Sequence, residues 1–259
     1  MKAHPLFFKA KNYDFDAALK VVNDLWRNFQ PLRVGRNETF IIVPVQKPDN
    51  KNQLPLAFAH AILKKYPGAI INTDIVSKST ISRKDSSAYE RLLFRPVYEG
   101  KVIPNAKYLV CDDVLTHGAS LNELKRYIEK NGGEVLDATT LAFPHYNQKV
   151  SDEGLHSARF SPKTEEIQGC LAKLNGNAHL ANVVDVLNRY SIAHDLSDLT
   201  FSEISYLNAF SSANTLKNKL DFCFNIKENK ELFASLYPEK FEKLIEKDKD
   251  KGLQFLMEF

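Results

Sequence analysis

Asp112 and Asp113 stand side by side at the end of an apolar run, in "KYLVCDDVLTHGAS" (107–120). Adjacent carboxylates repel, and a buried one without a partner is costly, so the pattern implies that something meets them. The turn that follows carries Thr116, Gly118 and Ser120. Glycine permits a backbone conformation barred to other residues, and the hydroxyls add donors. Successive backbone N–H groups in such a turn make an anion-binding concavity, to which a helix starting near Leu121 adds its dipole. Carboxylates thus lie beside a phosphate cradle, and a ligand with diol hydroxyls close to a phosphate satisfies both. A solvated loop with a helix cap can also hold two acids. The apolar run before the pair and the Thr-x-Gly-x-Ser turn after it favour the ligand.

The elements that must position this turn are legible as alternating patterns. "TFIIVPV" (39–45), "AIINTDIV" (69–76), "KYLVCDD" (107–113) and "EVLDATTLAF" (134–143) are β-branched apolar runs that predict buried strands. Between them, "LPLAFAHAILKKY" (54–66) and "SLNELKRYIEKNGG" (120–133) have helical spacing, ended by Pro67-Gly68 and Gly132-Gly133. "YDFDAALKVVNDLWRNF" (13–29) predicts a helix before the first strand. Strands alternating with helices imply right-handed crossovers and a mostly parallel sheet flanked by helices, an α/β fold. Adjacent residues at a strand end point in different directions, so the two acids need not share one role. Ligands of such sheets bind beyond the carboxyl ends of the strands, where the strand order reverses.

The segment 77–106 breaks the alternation, has no sustained period, and carries Lys78, Arg83, Lys84, Arg91 and Arg95. Its length and charge predict a basic lid or binding loop. Beyond about residue 150 strand signals stop. Helical patterns follow at 177–192, at 200–224, opened by a Thr200/Glu203 capping pair, and at 231–259. The expected organisation is an N-terminal helical segment (1–37), a core (38–150) and an appended C-terminal helical region (151–259).

Composition narrows the class. Hydrophobic residues make up 44% and charged ones 26%, and the formal charge is +3, which suits an anionic small molecule as well as nucleic acid. Cys111, Cys170 and Cys223 lie far apart without ligand spacing, against a disulfide framework or zinc site. No apolar run is long enough to span a bilayer, so a soluble cytoplasmic protein is expected, with no membrane partner.

"YLVCDDVLTHGAS" resembles the phosphoribosyl pyrophosphate (PRPP) signature of type I phosphoribosyltransferases. The resemblance covers about residues 38–145 and implies that family's core. It implies that Asp112 and Asp113 face the ribose hydroxyls and hold Mg²⁺, directly or through water. Thr116, His117, Gly118, Ala119 and Ser120 would wrap the 5′-phosphate. Ser120 stands where Thr is usual, and His117 where Thr or Ala is frequent. Val45, Gln46 and Lys47 occupy the place of the pyrophosphate loop, without the usual Arg or Lys followed by Gly. Asn52-Gln53 entering the next helix, and "SRKDSSAYERLLF" (82–94) with Arg91, resemble the ComF-like subgroup. The cysteine-rich zinc segment that often opens such chains is absent. Lys84 and Arg91 are the implied catalytic lid residues.

The implied activity is Mg²⁺-dependent transfer of phosphoribose from PRPP to a nitrogenous base or related acceptor, with release of pyrophosphate. Two alternatives stay open: a non-catalytic PRPP-sensing regulator, and an enzyme modifying a nucleic-acid or protein acceptor. No stripe of aromatic and basic residues supports nucleic acid. A homodimer is compatible with the reading. The hood over the acceptor would come from residues 1–37, 144–160 or the C-terminal helices.

Overall fold

The computed structural model describes residues 1–26, 34–35, 38–78, 87–115, 118–142, 162–176 and 182–246. In chain order the first elements are α1 (Phe7–Ala10), α2 (Phe15–Trp26), β1 (Ile41–Pro44), α3 (Leu54–Lys65), β2 (Ile70–Ile71) and β3 (Val76–Ser77). There follow α4 (Ala88–Leu93), β4 (Tyr98–Glu99), β5 (Lys107–Val114), α5 (Ala119–Lys130) and β6 (Glu134–Ala142). After these, helices continue: α6 (Thr164–Asn175), α7 (Val183–Arg189), α8 (Phe201–Leu207), α9 (Ala213–Phe224), α10 (Lys227–Leu236) and α11 (238–246).

β1, β2, β5 and β6 form one parallel sheet in the order β2–β1–β5–β6. Its strands are apolar on both sides because both faces are covered. Ile42, Leu109 and Cys111 point to one face, against Phe7 and Ala10 of α1, Val21 and Val22 of α2, and Phe58 and Ile62 of α3. Ile41, Val43, Tyr108 and Val110 point to the other, against Leu121, Leu124 and Ile128 of α5. The fold is therefore α/β, with a parallel sheet between helical layers and further helices after it. Leu124 is fully buried in the second layer. Leu124→Ala should destabilise the chain by about 2–5 kcal/mol, read from the urea midpoint at unchanged slope.

The chain divides into two compact units, one bounded as Met1–Thr80, Pro96–Pro162 and Thr200–Glu203, the other as Ile81–Arg95, Lys163–Leu199 and Ile204–Phe259. The first holds the sheet. In the second, α4, α7, α9 and α10 bury Leu187, Leu216, Leu220, Phe224 and Phe233. Phe224 and Phe233 meet edge to face at 5.4 Å, an arrangement the ring quadrupoles favour. Tyr190, Lys217 and Arg189 surround Asp221 and hold its carboxyl below the usual range despite burial. Burial and the same carboxylate push the Tyr190 phenol up.

Three expectations are revised. Residues 69–76 do not form one strand: β2 pairs with β1, whereas β3 turns away to pair antiparallel with β4. Within 77–106 lies a helix, α4, started by a reciprocal cap in which Ser87 Oγ accepts from the Glu90 amide and Glu90 accepts from the Ser87 amide. One turn and a half is too short to show a period. The single helix expected over 200–224 is two, because Ser212 caps α9 by accepting from the Thr215 amide at 3.2 Å. Serine competes with the helix for backbone bonds and favours such a break. α6 has no counterpart among the expected helices.

Candidate functional site

β1 hydrogen-bonds β2 on one side and β5 on the other, so the strand order reverses between β1 and β5. A crevice opens at the carboxyl end of such a reversal. β1 ends at Pro44, which pairs with Cys111, and the Val45 amide still donates to the Cys111 carbonyl at 2.8 Å. β5 runs on to Val114, three residues past that pairing, and so carries the acids beyond its shorter neighbour. The sequence pattern ends the strand at the acids themselves.

Alternation along β5 puts Asp113 on the face of Leu109 and Cys111, and Asp112 on the face of Tyr108 and Val110. Their surroundings differ accordingly. Asp113 is 6% exposed, and its Oδ2 takes the Lys11 ammonium and the Asn52 side-chain amide, the latter at 3.4 Å. Asn52 is itself fixed, since its Oδ1 accepts from the Leu54 amide at 3.3 Å at the start of α3. Asp112 keeps some accessible surface but is ringed by protein, and its Oδ1 accepts from the Asp113 amide at 2.8 Å. Burial first, then the Asp113 charge, raise the Asp112 carboxyl well above the usual range. Thr140 lies opposite Asp112 on β6, and both Thr139 and Thr140 hydroxyls are buried with no hydrogen-bond partner among the described residues.

After Leu115 the chain reaches Gly118, whose φ of +78° is the left-handed conformation that favours glycine. Gly118 precedes α5, and its carbonyl accepts from the Asn122 amide at 2.9 Å. The first-turn amides of a helix have no intrahelical acceptors, and Ala119, Ser120 and Leu121 form the first turn of α5. Ser120 also accepts, through its carbonyl, from the Tyr98 hydroxyl at 3.0 Å.

In the loop between β1 and α3, Gln46 is 6% exposed and donates through Nε2 to Asn50 Oδ1 at 3.0 Å. Its carbonyl accepts from the Ser77 amide at 2.9 Å, while Lys47 accepts from the Asn50 amide and Val45 is half-buried. Gln46 thus holds the loop's own turn. Of the basic segment, exposed Lys78 pairs with Glu99 across β3 and β4 at 3.1 Å. Arg91 sits in the last turn of α4, in the helical unit, with its Nε buried and unbonded among the described residues. Arg95, counted with the basic residues of that segment, is a buried member of that unit, and its carbonyl accepts from the Tyr237 hydroxyl. Thr116, His117, Arg83 and Lys84 lie outside the described residues. The structure describes Asp112 and Asp113 at the end of β5 and Gly118, Ala119 and Ser120 at the start of α5. It adds Lys11 and, on the Asp113 side, Asn52.

Among the described residues no group of three or more His, Cys, Asp or Glu side chains could hold a metal ion. The acids offer hard oxygen donors of the kind Mg²⁺ takes. They diverge to opposite faces, and Asp113 Oδ2 already carries an ammonium. Of the two, Asp112 is the residue that would hold a Mg²⁺ ion, otherwise dependent on water and ligand oxygens, with no clamp between both carboxylates. Among the described residues no helix is long and apolar enough to cross a membrane.

No protein-family model matches the chain. It is similar to a protein called TraN from Escherichia coli, 30% identical over 224 residues, which are 83% of this chain and 46% of TraN. An uncharacterized protein of Haemophilus influenzae is 29% identical over 134 residues, 49% of this chain and 30% of that one. The chain spans less than half the length of both curated relatives. Similar solved structures include an adenine phosphoribosyltransferase from Rhodothermus marinus, 16% identical at a TM-score of 0.30, covering 49% of this chain and 66% of that one. A hypoxanthine-guanine phosphoribosyltransferase from Bacillus anthracis is 17% identical at a TM-score of 0.32, covering 58% and 76%. These likenesses are distant, and what bears on function is the geometry around Asp112, Asp113 and Gly118.

Proposed function

We propose that the sheet-bearing unit binds PRPP at the end of β5 and transfers its phosphoribosyl group to a nitrogen acceptor. The observation that carries this reading is the geometry at the end of β5 and at the start of α5. An acidic pair passes the end of β1 at the strand-order reversal, and a left-handed Gly118 then leads into the start of α5. The diol would be held by the acids and the 5′-phosphate by the amides of 118–121. In the reaction the bond from the anomeric carbon to pyrophosphate breaks, a bond to the acceptor nitrogen forms, and positive charge builds on the sugar ring between. Carboxylates beside the ring stabilise that charge, and donors aimed at the pyrophosphate stabilise the leaving group. Mg²⁺, when bound, would supply further neutralisation of pyrophosphate. Lys84 and Arg91 remain the proposed lid cations, residues 1–37 part of the hood, and the ComF-like subgroup the proposed affiliation.

A second reading, a PRPP sensor without turnover, is favoured by one observation: Asp113 is already engaged by Lys11 and Asn52. Incubation of the chain with Mg²⁺, PRPP and a panel of nitrogenous bases, with pyrophosphate release as readout, separates the two. Release dependent on one base supports transfer. PRPP binding with no release across the panel supports sensing, and absence of PRPP binding overturns both.

A further inference from the structure

The N-terminal segment is fastened to the loop that borders the acids. The Gln53 amide donates to the Ala10 carbonyl at 3.0 Å, and the Tyr13 amide to the Lys51 carbonyl at 2.8 Å. Between these bonds Lys11 caps the end of α1, while Phe7 and Ala10 anchor the short helix in the sheet's core. Its ammonium ion-pairs with Asp113 across 102 residues of sequence. The two partners are unequally covered: the Asp113 side chain is 8% exposed and that of Lys11 30%. The ammonium is the accessible member, on a flexible stem with rotatable donors, so it can exchange one anion for another while α1 stays in place.

A ligand diol and the ammonium compete for the same carboxylate oxygen. A sugar phosphate alone could take Asp113 only by leaving Lys11 without an anion. Pyrophosphate alone could draw Lys11 away only by leaving a buried carboxylate with Asn52. A ligand carrying both groups satisfies both partners at once. Gln46, in the loop expected to cradle pyrophosphate, is uncharged and engaged with Asn50. Resting on the PRPP reading above, we propose that Lys11 is a ligand-binding residue that guards Asp113 in the empty site and transfers to the pyrophosphate of the incoming donor. It thereby makes the site selective for the intact diphosphate over ribose 5-phosphate.

The test is calorimetric titration of the full chain with PRPP, ribose 5-phosphate and inorganic pyrophosphate, all with Mg²⁺. The parent should prefer PRPP strongly. Lys11→Met should weaken PRPP and pyrophosphate roughly ten- to a hundredfold, the range of a charged hydrogen bond, while ribose 5-phosphate binds as well or better. Lys11→Arg should restore PRPP binding to within a few-fold. Because Lys11→Met leaves a buried carboxylate, the same substitution is also made in an Asp113→Asn background, where no such charge remains. There it should still weaken pyrophosphate and leave ribose 5-phosphate unchanged. Equal loss of all three ligands, in both backgrounds, would mean that Lys11 only anchors the segment, and would overturn the proposal. Unchanged PRPP binding would overturn it too, with the PRPP site itself intact. A parent that binds neither PRPP nor ribose 5-phosphate would instead remove the reading on which the proposal rests.

Discussion

Asp112→Asn and Asp113→Asn should both weaken PRPP binding, by about tenfold or more, yet shift stability in opposite directions. Each removes a carboxyl acceptor for a diol hydroxyl, a bond of roughly 1.5–3 kcal/mol where the acceptor is charged. From the sequence, both substitutions relieve the same repulsion and should be alike. The structure separates them. Asp113 is a nearly covered carboxylate in an ion pair, and its neutralisation leaves the Lys11 ammonium without a counter-charge. A loss of about 1–3 kcal/mol follows. Asp112 is the strained member, its carboxyl raised by burial and by Asp113.

The sign of the pH dependence follows from that direction. A carboxyl that holds its proton more tightly folded than unfolded favours the folded state most in acid. That contribution fades as pH rises from the unfolded value, about 3.9, through the folded one. A neutral amide in place of the Asp112 carboxyl carries no such penalty. Asp112→Asn should therefore raise the urea midpoint at pH 8, with the gain shrinking as pH falls toward 4. A destabilised Asp112→Asn chain at pH 8 would overturn the strain at Asp112, and two variants that bind PRPP like the parent would remove the acids from the site.

Gly118→Ala should damage both the fold and the phosphate cradle. At a φ of +78° an L side chain costs about 1–2 kcal/mol. The added Cβ would stand 2.8 Å from Thr200 Cγ2 and 3.1 Å from Leu115 Cδ1. Thr200 is buried and held by a reciprocal cap with Glu203, in which its amide donates to Glu203 at 2.9 Å. It cannot retreat freely, and overpacking of this kind costs about 1–3 kcal/mol more. Pairing the change with Thr200→Ser keeps the capping hydroxyl and removes the methyl, so part of the lost stability should return. Affinity for ribose 5-phosphate should not return, because the amides of the α5 start remain displaced. Full recovery of both would show that the left-handed turn has no role in binding. Thr200, predicted only as a helix cap, belongs to the sheet-bearing unit.

The strand and helix pattern was legible wherever a local period is long enough to read. β1, α3 and β6 fall within the segments whose apolar spacing predicts them, and β5 and α5 each pass theirs by one residue. Elements of a few residues were less so: β2 takes only part of the strand predicted over 69–76, and β3 and α4 are too short for a period and depend on partners elsewhere in the chain. Arg95 shows the same limit for charge, since a basic residue in an apparently polar segment can still be buried by helices that follow much later.

Within the site, residue order alone determined the adjacency of Asp112 and Asp113, their place after an apolar strand, and the glycine that must turn the chain into α5. Those are properties of neighbours, and neighbours are what a sequence records. Only the tertiary structure decided which acid is paired. The pairing partner, Lys11, comes from a lysine-rich stretch that no local pattern distinguishes, and it is brought to Asp113 by the packing of α1 against the sheet and by two backbone bonds to the following loop. An ion pair across 102 residues is a statement about three-dimensional packing. So is the difference between a stabilising and a strained carboxylate.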